Sequence, residues 1–422
     1  MMMMTVWNGM TMLLDKFLEH FQLDMSVLRY LKEYPNVIYE KLLQIVGGRM
    51  AEYFGFKKLY GLGLLLTCIL TFLSPVVARL NVWAFMVLRI CQGLFEGVTF
   101  PSLHCMTARW IPIKERNSFI ARSYFGSVFG LIISYPLCGL LIDSFGWDSA
   151  FYVIGGITLT WFLFWTFLVF DTPDSHPRIS KEELEYITTE LSNTVSKKTK
   201  PIPWKSILTS VPFWGMVITD CGNCVGIITL GSYGSLYLKK MLGVDIKANG
   251  VLSGVPMLSR YLGGLVTAAM ADYLLKHRGW SVVWVRRVFN SICMCGPAVT
   301  MAILAFPPAG SQCSVTMTVC LLTTGMFLNG AISPGHFSSP GDLSPNYAGT
   351  IFGMSNTLSG GGVGYLTPVM VSTITGYYGY TFEAWTIVFS IASSVYIVAN
   401  IFYFFMISGS IQPWNDYDSI NK

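Results

Sequence analysis

The chain has 422 residues, 53% of them hydrophobic and only 12% charged, with 40 glycines and a net charge of +5; its mean hydropathy is +0.52. That balance excludes an ordinary soluble protein and points to a polytopic helical protein in lipid. The small positive charge fits basic cytoplasmic loops. No basic run interleaves with aromatics, so nucleic acid is excluded as a partner.

The chain opens MMMMTVWNGMTMLLDKFLEHFQLDM. Met10, Leu13, Leu14, Phe17, Leu18 and Phe21 form one apolar face, but Asp15, Lys16, Glu19 and His20 interrupt any span. The segment is expected to lie on a membrane surface, as neither a spanning helix nor a cleavable signal. Residues 34–46 carry Glu40 and Lys41, which spoil a second span. Ten apolar runs of membrane-spanning length then follow, at 59–77, 82–107, 117–142, 149–170, 211–238, 249–275, 285–306, 315–336, 347–374 and 382–407.

The run 82–107 is the most informative. It carries Arg89 and Glu96 in its interior, each costing about 2.5–3.5 kcal/mol at a bilayer centre. Arg89, Gln92, Gly93, Glu96 and Phe100 share one helix face by their three-and-four spacing. The two charges are separated by about 10 Å along a helix axis and do not neutralise each other directly. The face reads as the wall of a transport pathway, with Arg89 attracting an anion and Glu96 exchanging a proton or sensing a cation. The other reading is a set of structural pairs with neighbouring helices.

Loop charges orient the spans. Arg49, Lys57, Lys58, Arg109, Lys114, Arg116, Arg122, Lys276, Arg278, Arg286 and Arg287 fall on one side, with the basic residues of 171–210. The positive-inside rule makes that side cytoplasmic, together with the tail from Ser408. Arg79, Lys239, Lys240 and Lys247 are exceptions. The only long polar stretch, 171–210, reads as a linker; Ser180 and Glu183 within it fit a capping box. The expected organisation is therefore an aberrant N-terminal segment 1–46, a bundle 47–170, the linker 171–210, a second bundle 211–407 and a cytoplasmic tail 408–422.

The two bundles repeat each other. At an offset of 232, Ser123, Ser127, Gly130 and Pro136 match Ser355, Ser359, Gly362 and Pro368. Ala51-Glu52 before Lys57 has a counterpart in Ala271-Asp272 before Lys276. Both features support a duplicated bundle. Cys221-x-x-Cys224 and Cys293-x-Cys295 lie in apolar helical runs without nearby ligands and read as packing residues, and Cys313 shows no obvious partner. No metal spacing, phosphate loop or nucleophile–base set is present, so neither an enzyme nor a cofactor is expected. Asp220 is either a second membrane carboxylate or an interfacial one; His104 and His336 read as interfacial.

These residues carry a resemblance. Gly47-Gly-Arg-Met-Ala-Glu-x-Phe-Gly-x-Lys57 resembles the helix 2–3 signature of the major facilitator superfamily. Arg89-Ile-Cys-Gln-Gly-Leu-Phe-Glu-Gly-Val-Thr-Phe-Pro101 is similar to helix 4 of its anion:cation symporters, the sodium–phosphate cotransporter, sialin and vesicular glutamate transporter group. His176-Pro177, Pro203-Trp204, Tyr347-Ala-Gly349 and Gln412-Pro-Trp414 add to it, and the likeness covers about residues 44–415. The resemblance implies a major facilitator fold of two helix bundles working by alternating access. It implies Arg89 as the anion ligand, with Gln92 and Asn223 beside the substrate. It implies Glu96 as the coupling carboxylate for sodium or a proton, and Arg49, Glu52 and Lys57 as a cytoplasmic gate.

The chain departs from that pattern in helices 1, 7 and 10. The apolar first helix with its own arginine is replaced by the segment described above. Asp220-Cys-Gly-Asn-Cys stands where an aromatic-rich stretch belongs, and Ser339-Pro-Gly-Asp342 where Asn-His-Leu-Asp does. Pro340-Gly341 is expected to bend the backbone. The departures imply either a start upstream of Met1 or a diverged paralogue. The function expected is symport of a small anion, inorganic phosphate or an organic anion, across the plasma membrane or a vesicular or lysosomal membrane. Phosphate is favoured because no second arginine is visible for a bulky dicarboxylate. The alternative is a transport-dead paralogue acting as a membrane partner or sensor.

Overall fold

The computed structural model describes residues 35–191, 201–244, 246–307 and 314–416. The N-terminal amphipathic face and Cys313 lie outside them. Among the described residues there is no strand. Lipid offers the backbone no partners, so apolar segments must close their hydrogen bonds within helices.

α1 (Pro35–Phe54) runs straight through the boundary expected at residue 46, so Glu40 and Lys41 are accommodated within a helix. Gly55, at φ 92°, ends it. α2 (Phe56–Leu80) is followed at once by α3 (Val82–Glu96), whose start is set by Asn81 Oδ1 accepting the Trp83 N–H at 2.8 Å. The helix expected over 82–107 is interrupted: α3 stops at Glu96, and α4 (Thr99–Trp110) begins after a turn at Gly97-Val98. α5 (Arg116–Phe145) and α6 (Trp147–Leu168) complete the first half.

In the linker, Ser180 Oγ accepts the Glu183 N–H at 3.1 Å and starts α7 (Lys181–Leu191). Ile187 and Leu191 are buried, so this helix is docked. α8 (Trp204–Leu208) leads to α9 (Val211–Ile228), which passes through a π-helical segment Thr229–Tyr233 into α10 (Gly234–Met241). α11 (Ile246–His277) and α12 (Val282–Ala305) follow. α13 (Val315–Asn329) dissolves into short turns before α14 (Ser339–Leu343). The bend therefore falls before Pro340. That proline sits in the first turn of α14, where its missing N–H costs nothing. α15 (Ala348–Asn356) joins α16 (Gly364–Tyr378) through a second π-helical segment, Thr357–Val363, and α17 (Phe382–Met406) closes the order.

Among the described residues, six helical stretches are long and apolar enough to cross a membrane: Phe56–Leu80, Trp147–Leu168, Val211–Met241, Val282–Ala305, Val315–Leu343 and Phe382–Met406. Their exposed faces are greasy. Leu62, Ile69, Leu73 and Val76 on α2 and Val398, Ile401, Phe402 and Phe405 on α17 are exposed at helical spacing, as lipid-facing stripes must be.

The chain forms two compact units, and neither is a simple half. One comprises 1–112, 123–199 and Pro345–Thr357; the other comprises Ile113–Arg122, 200–344 and 358–422. Each therefore takes in a short segment from the opposite half, which the boundaries read from sequence did not anticipate. In the first unit α2 packs on α3 and α6, while α15 packs on α1 and α4. The α1–α15 approach is close: a Cβ on Gly48 would collide with the Gly349 backbone, and one on Gly353 with Gln44. In the second unit α17 packs on α9 and α12, and α13 on α11 and α12. The tail docks there too. The Gln412 N–H donates to the Leu343 carbonyl at 2.9 Å, and Ser344 Oγ to Asn415 Oδ1 at 2.7 Å.

Candidate transport site and gate

Arg89 and Gln92 lie one helical turn apart on α3, and both are buried. Arg89 Nη1 donates to Gln92 Oε1 at 3.0 Å, and Gln92 Nε2 donates to Thr71 Oγ1 of α2 at 3.1 Å. The guanidinium lies over the Phe85 ring at 4.6 Å and faces Phe151 at 5.4 Å. One edge is thus oriented by amide and aromatic contacts. The Nε and Nη2 groups of the other edge make no hydrogen bond within the protein. They form the fork that grips carboxylate or phosphate side-on.

Glu96 is half-buried at the last position of α3 and interacts electrostatically with Arg89. Phe100, expected on the same continuous face, lies beyond the break, on α4. Asn223 is buried in the second unit, where its Oδ1 accepts from Asn329 Nδ2 at 2.9 Å. Asn329 Oδ1 accepts from Arg260 Nε at 2.8 Å, and its Nδ2 is 3.2 Å from the Tyr396 hydroxyl. Arg260 on α11 is thus a second guanidinium in a polar helix-packing network, one that sequence reading passed over. Its position inside a predicted span was the available signal. The case for phosphate from the lack of a second arginine does not hold.

The gate residues separate into two groups. Glu52 is 3% exposed. It accepts the Thr350 N–H at 2.8 Å, the Thr350 hydroxyl at 2.9 Å and Arg49 Nη1 at 3.3 Å. Thr350 is the third residue of α15, so a carboxylate caps a helix N-terminus. Burial pushes the Glu52 carboxyl up to about 7, against the Thr350 and Arg49 hydrogen bonds. Arg109 Nη2 adds a bond to the Glu52 carbonyl at 3.0 Å. Lys57 is elsewhere. Beyond Gly55 its N–H donates to Asp171 Oδ1 at 2.9 Å and its Nζ lies 4.4 Å from the Phe170 ring centre.

The second unit contains the counterpart. Asp272 accepts the Ser118 N–H at 2.9 Å and Asn117 Nδ2 at 2.8 Å, at the start of α5. Beside it Asp342 accepts Arg116 Nη1 at 3.1 Å and Arg286 Nε at 2.6 Å. Arg286 Nη1 continues to Asn117 Oδ1 and the Pro334 carbonyl. Arg116 and Arg286 were expected as loop charges; both are fully buried. The two histidines expected at interfaces are also buried. His104 stacks on Phe352 with ring centres 3.9 Å apart, and His336 lies at the α13–α14 break.

Two helical units, an oriented guanidinium in a span and carboxylate-capped helix ends define a membrane transporter of the major facilitator type. The Major Facilitator Superfamily profile matches residues 41–366. Human sialin is 37% identical over 378 residues, covering 89% of this chain and 75% of sialin. A Drosophila ananassae protein named for inorganic phosphate cotransport is 36% identical over 380 residues, covering 89% and 78%. Human vesicular glutamate transporter 2 is 32% identical over 391 residues, covering 90% and 65%. Among solved structures, a proton:xylose symporter superposes with a TM-score of 0.72 at 16% identity, over 100% of this chain and 95% of that one. The E. coli fucose:proton symporter gives 0.66 at 15% identity, over 95% and 96%. The chain belongs to the anion:cation symporter family of the major facilitator superfamily. It is an integral membrane secondary transporter of a small molecule, and its family is not one of enzymes.

Proposed function

We propose that the chain is a symporter of a small anion, either inorganic phosphate or an organic anion, coupled to sodium or protons. The observation that carries this is the Arg89 edge. A buried guanidinium is oriented by Gln92 and two aromatic rings while Nε and Nη2 make no bond to the protein. A compact oxyanion supplies the geometry that edge is built for. Gln92 orients the arginine. Asn223 of the second unit is kept as a further polar group for substrate, and Glu96 carries the coupling charge. Glu52 and Arg49 close the cytoplasmic gate, from which Lys57 is dropped. The phosphate-named and glutamate-named relatives support an anion, and the latter's name supports a vesicular membrane, with the lysosomal and plasma membranes as the other settings of this reading. The C-terminal tail is cytoplasmic in this reading.

The test is uptake of labelled phosphate, and in parallel of labelled glutamate, into liposomes holding the full chain, under imposed sodium or proton gradients. Saturable uptake of at least one anion is expected. Arg89→Ala should reduce it by at least about tenfold with protein content unchanged, as expected for a desolvated charged contact. Uptake that persists undiminished in Arg89→Ala refutes the site. Uptake of neither anion by wild-type protein turns the reading towards the transport-dead alternative.

A further inference from the structure

The second unit holds a chain of amides whose polarity is set from one end. Arg260 on α11, half-buried, donates from Nε to Asn329 Oδ1 at 2.8 Å. Asn329 is the last residue of α13 and is fully buried. The two helices meet backbone to backbone here. A Cβ on Gly263 would collide with the Phe327 carbonyl, and one on Gly330 with the Gly264 nitrogen. Ser259 Oγ adds a bond to the Thr323 carbonyl at 2.8 Å. Such close approach through small residues holds Arg260 and Asn329 in register.

Arginine carries donors and no acceptor. Whatever else Arg260 touches, the end of Asn329 that faces it is therefore the carbonyl oxygen. The N–H2 end of Asn329 faces the other way, to Asn223 Oδ1 at 2.9 Å and the Tyr396 hydroxyl at 3.2 Å. Tyr396 is itself pinned: its ring fills the place a Cβ on Gly226 would need, about one turn beyond Asn223 on α9.

Two N–H2 groups cannot bond each other, so Asn223 turns its oxygen inward. What it keeps for any other partner is its own N–H2, with two donors. Among the described residues that group makes no hydrogen bond, and it is not fully enclosed. A buried amide with unused donors is set for an acceptor from outside the protein.

We propose that Arg260 is a positioning residue for the transported anion: acting through Asn329, it holds Asn223 with its N–H2 donors towards the substrate and its oxygen away. This rests on the reading of Asn223 as a substrate contact. Its content is polarity. An amide oxygen presented to phosphate or carboxylate repels it, whereas an N–H2 forms a charge-assisted bond with it. The cation that makes the choice stands two amides back and does not itself touch the anion.

Nitrogen-15 labelling of the asparagines of the full chain in lipid nanodiscs reads this relay, with the Asn223 side-chain signal identified by its loss in Asn223→Asp. Added phosphate or glutamate should shift that signal in wild type. Arg260→Met removes the donor and should move it before any anion is added. Arg260→Lys keeps a donor and should leave it nearer its wild-type position. Asn329→Asp reverses the relay. The carboxylate keeps Arg260 bonded and the packing intact, but it offers Asn223 only oxygen, so the Asn223 amide must turn its N–H2 inward. The Kd for phosphate or glutamate, read from the shifts, should rise at least about tenfold while the thermal midpoint holds.

A purely structural network predicts the opposite for Asn329→Asp: unchanged anion binding. That result overturns the proposal, and so does an Asn223 signal that ignores Arg260→Met. Should one of these two variants fail to fold, the other decides. Arg89-dependent uptake by a wild type whose Asn223 signal ignores both anions overturns this proposal and keeps the anion reading. A wild type that neither transports nor responds to either anion overturns both.

Discussion

Glu52 accepts the Thr350 N–H at 2.8 Å and the Thr350 hydroxyl at 2.9 Å, and Asp272 repeats the arrangement on the Ser118 N–H. Each acceptor opens the acidic-to-basic loop motif of its repeat, and each donor is the third residue of a helix, α15 or α5. Thr350 follows Ser118 by 232 positions, the offset that relates Ser123 to Ser355. The duplication read in the sequence is therefore repeated in this helix-end contact. In each unit a carboxylate, buried at Glu52 and half-buried at Asp272, accepts a helix-end N–H that has no partner within its own helix.

Glu52 makes its contact dependent on pH. Burial raises its carboxyl from the ordinary 4.5 to about 7. The packed state thus binds more protons than a state in which Glu52 meets water. Its stability is fully present below about 4.5 and falls as pH rises through about 7. Wild-type protein in detergent should lose thermal midpoint between about pH 5 and about pH 8. Glu52→Gln, which cannot ionise, should flatten that dependence. An equally steep fall in Glu52→Gln would assign it to another group.

Asp342 serves two arginines at once. Arg116 and Arg286 are both fully buried, and each gives it a hydrogen bond. Asp342→Asn leaves two buried guanidiniums without the carboxylate they both hydrogen-bond. Removing one partner of a buried pair costs about 3–5 kcal/mol, so the variant should melt well below wild type. Arg116→Met added to Asp342→Asn should recover part of the loss, since one uncompensated charge then remains. A wild-type midpoint in Asp342→Asn would show that water already reaches the site.

Such partners explain what the sequence disclosed and what it withheld. The Arg89–Gln92 pair was legible because its geometry is local: three positions on one helix make one face. Glu52 with Arg49 was legible for the same reason. Lys57 stands apart from Glu52 because Gly55, at φ 92°, turns the chain and brings the Lys57 N–H to Asp171. Arg116 and Arg286 were misread because Asp342 lies 226 and 56 positions from them, and no periodicity connects such distances. The ten apolar runs announced the class, but the break after Glu96 and the exchange of short segments between units depend on packing.

The α1–α15 crossing makes a local prediction. A Cβ on Gly48 would collide with the Gly349 backbone and lie 2.7 Å from the Thr350 nitrogen. Gly48→Ala should therefore push α15 off α1 and break the Glu52 cap, at about 1–3 kcal/mol as for other overpacked sites. Gly156→Ala on α6 meets nothing within 4 Å and should melt within about 0.5 kcal/mol of wild type. Equal midpoints for the two variants would place the cap outside the stability of the fold.

Gln92 separates orientation from charge at the proposed anion site. Its Oε1 accepts Arg89 Nη1, and its Nε2 is anchored on Thr71. Gln92→Ala keeps the guanidinium but releases the edge that fixes its direction. Anion uptake should show a KM raised about five- to tenfold, the worth of one charge-assisted hydrogen bond, with the maximal rate little changed. Arg89→Lys keeps a positive charge but cannot present a two-donor fork, so its KM should rise further than that of Gln92→Ala. Thr71→Val, which removes the anchor behind Gln92, should give a smaller shift in the same direction. If Arg89→Lys transports as well as wild type, the anion is held by charge alone and the fork at Nε and Nη2 is not its seat.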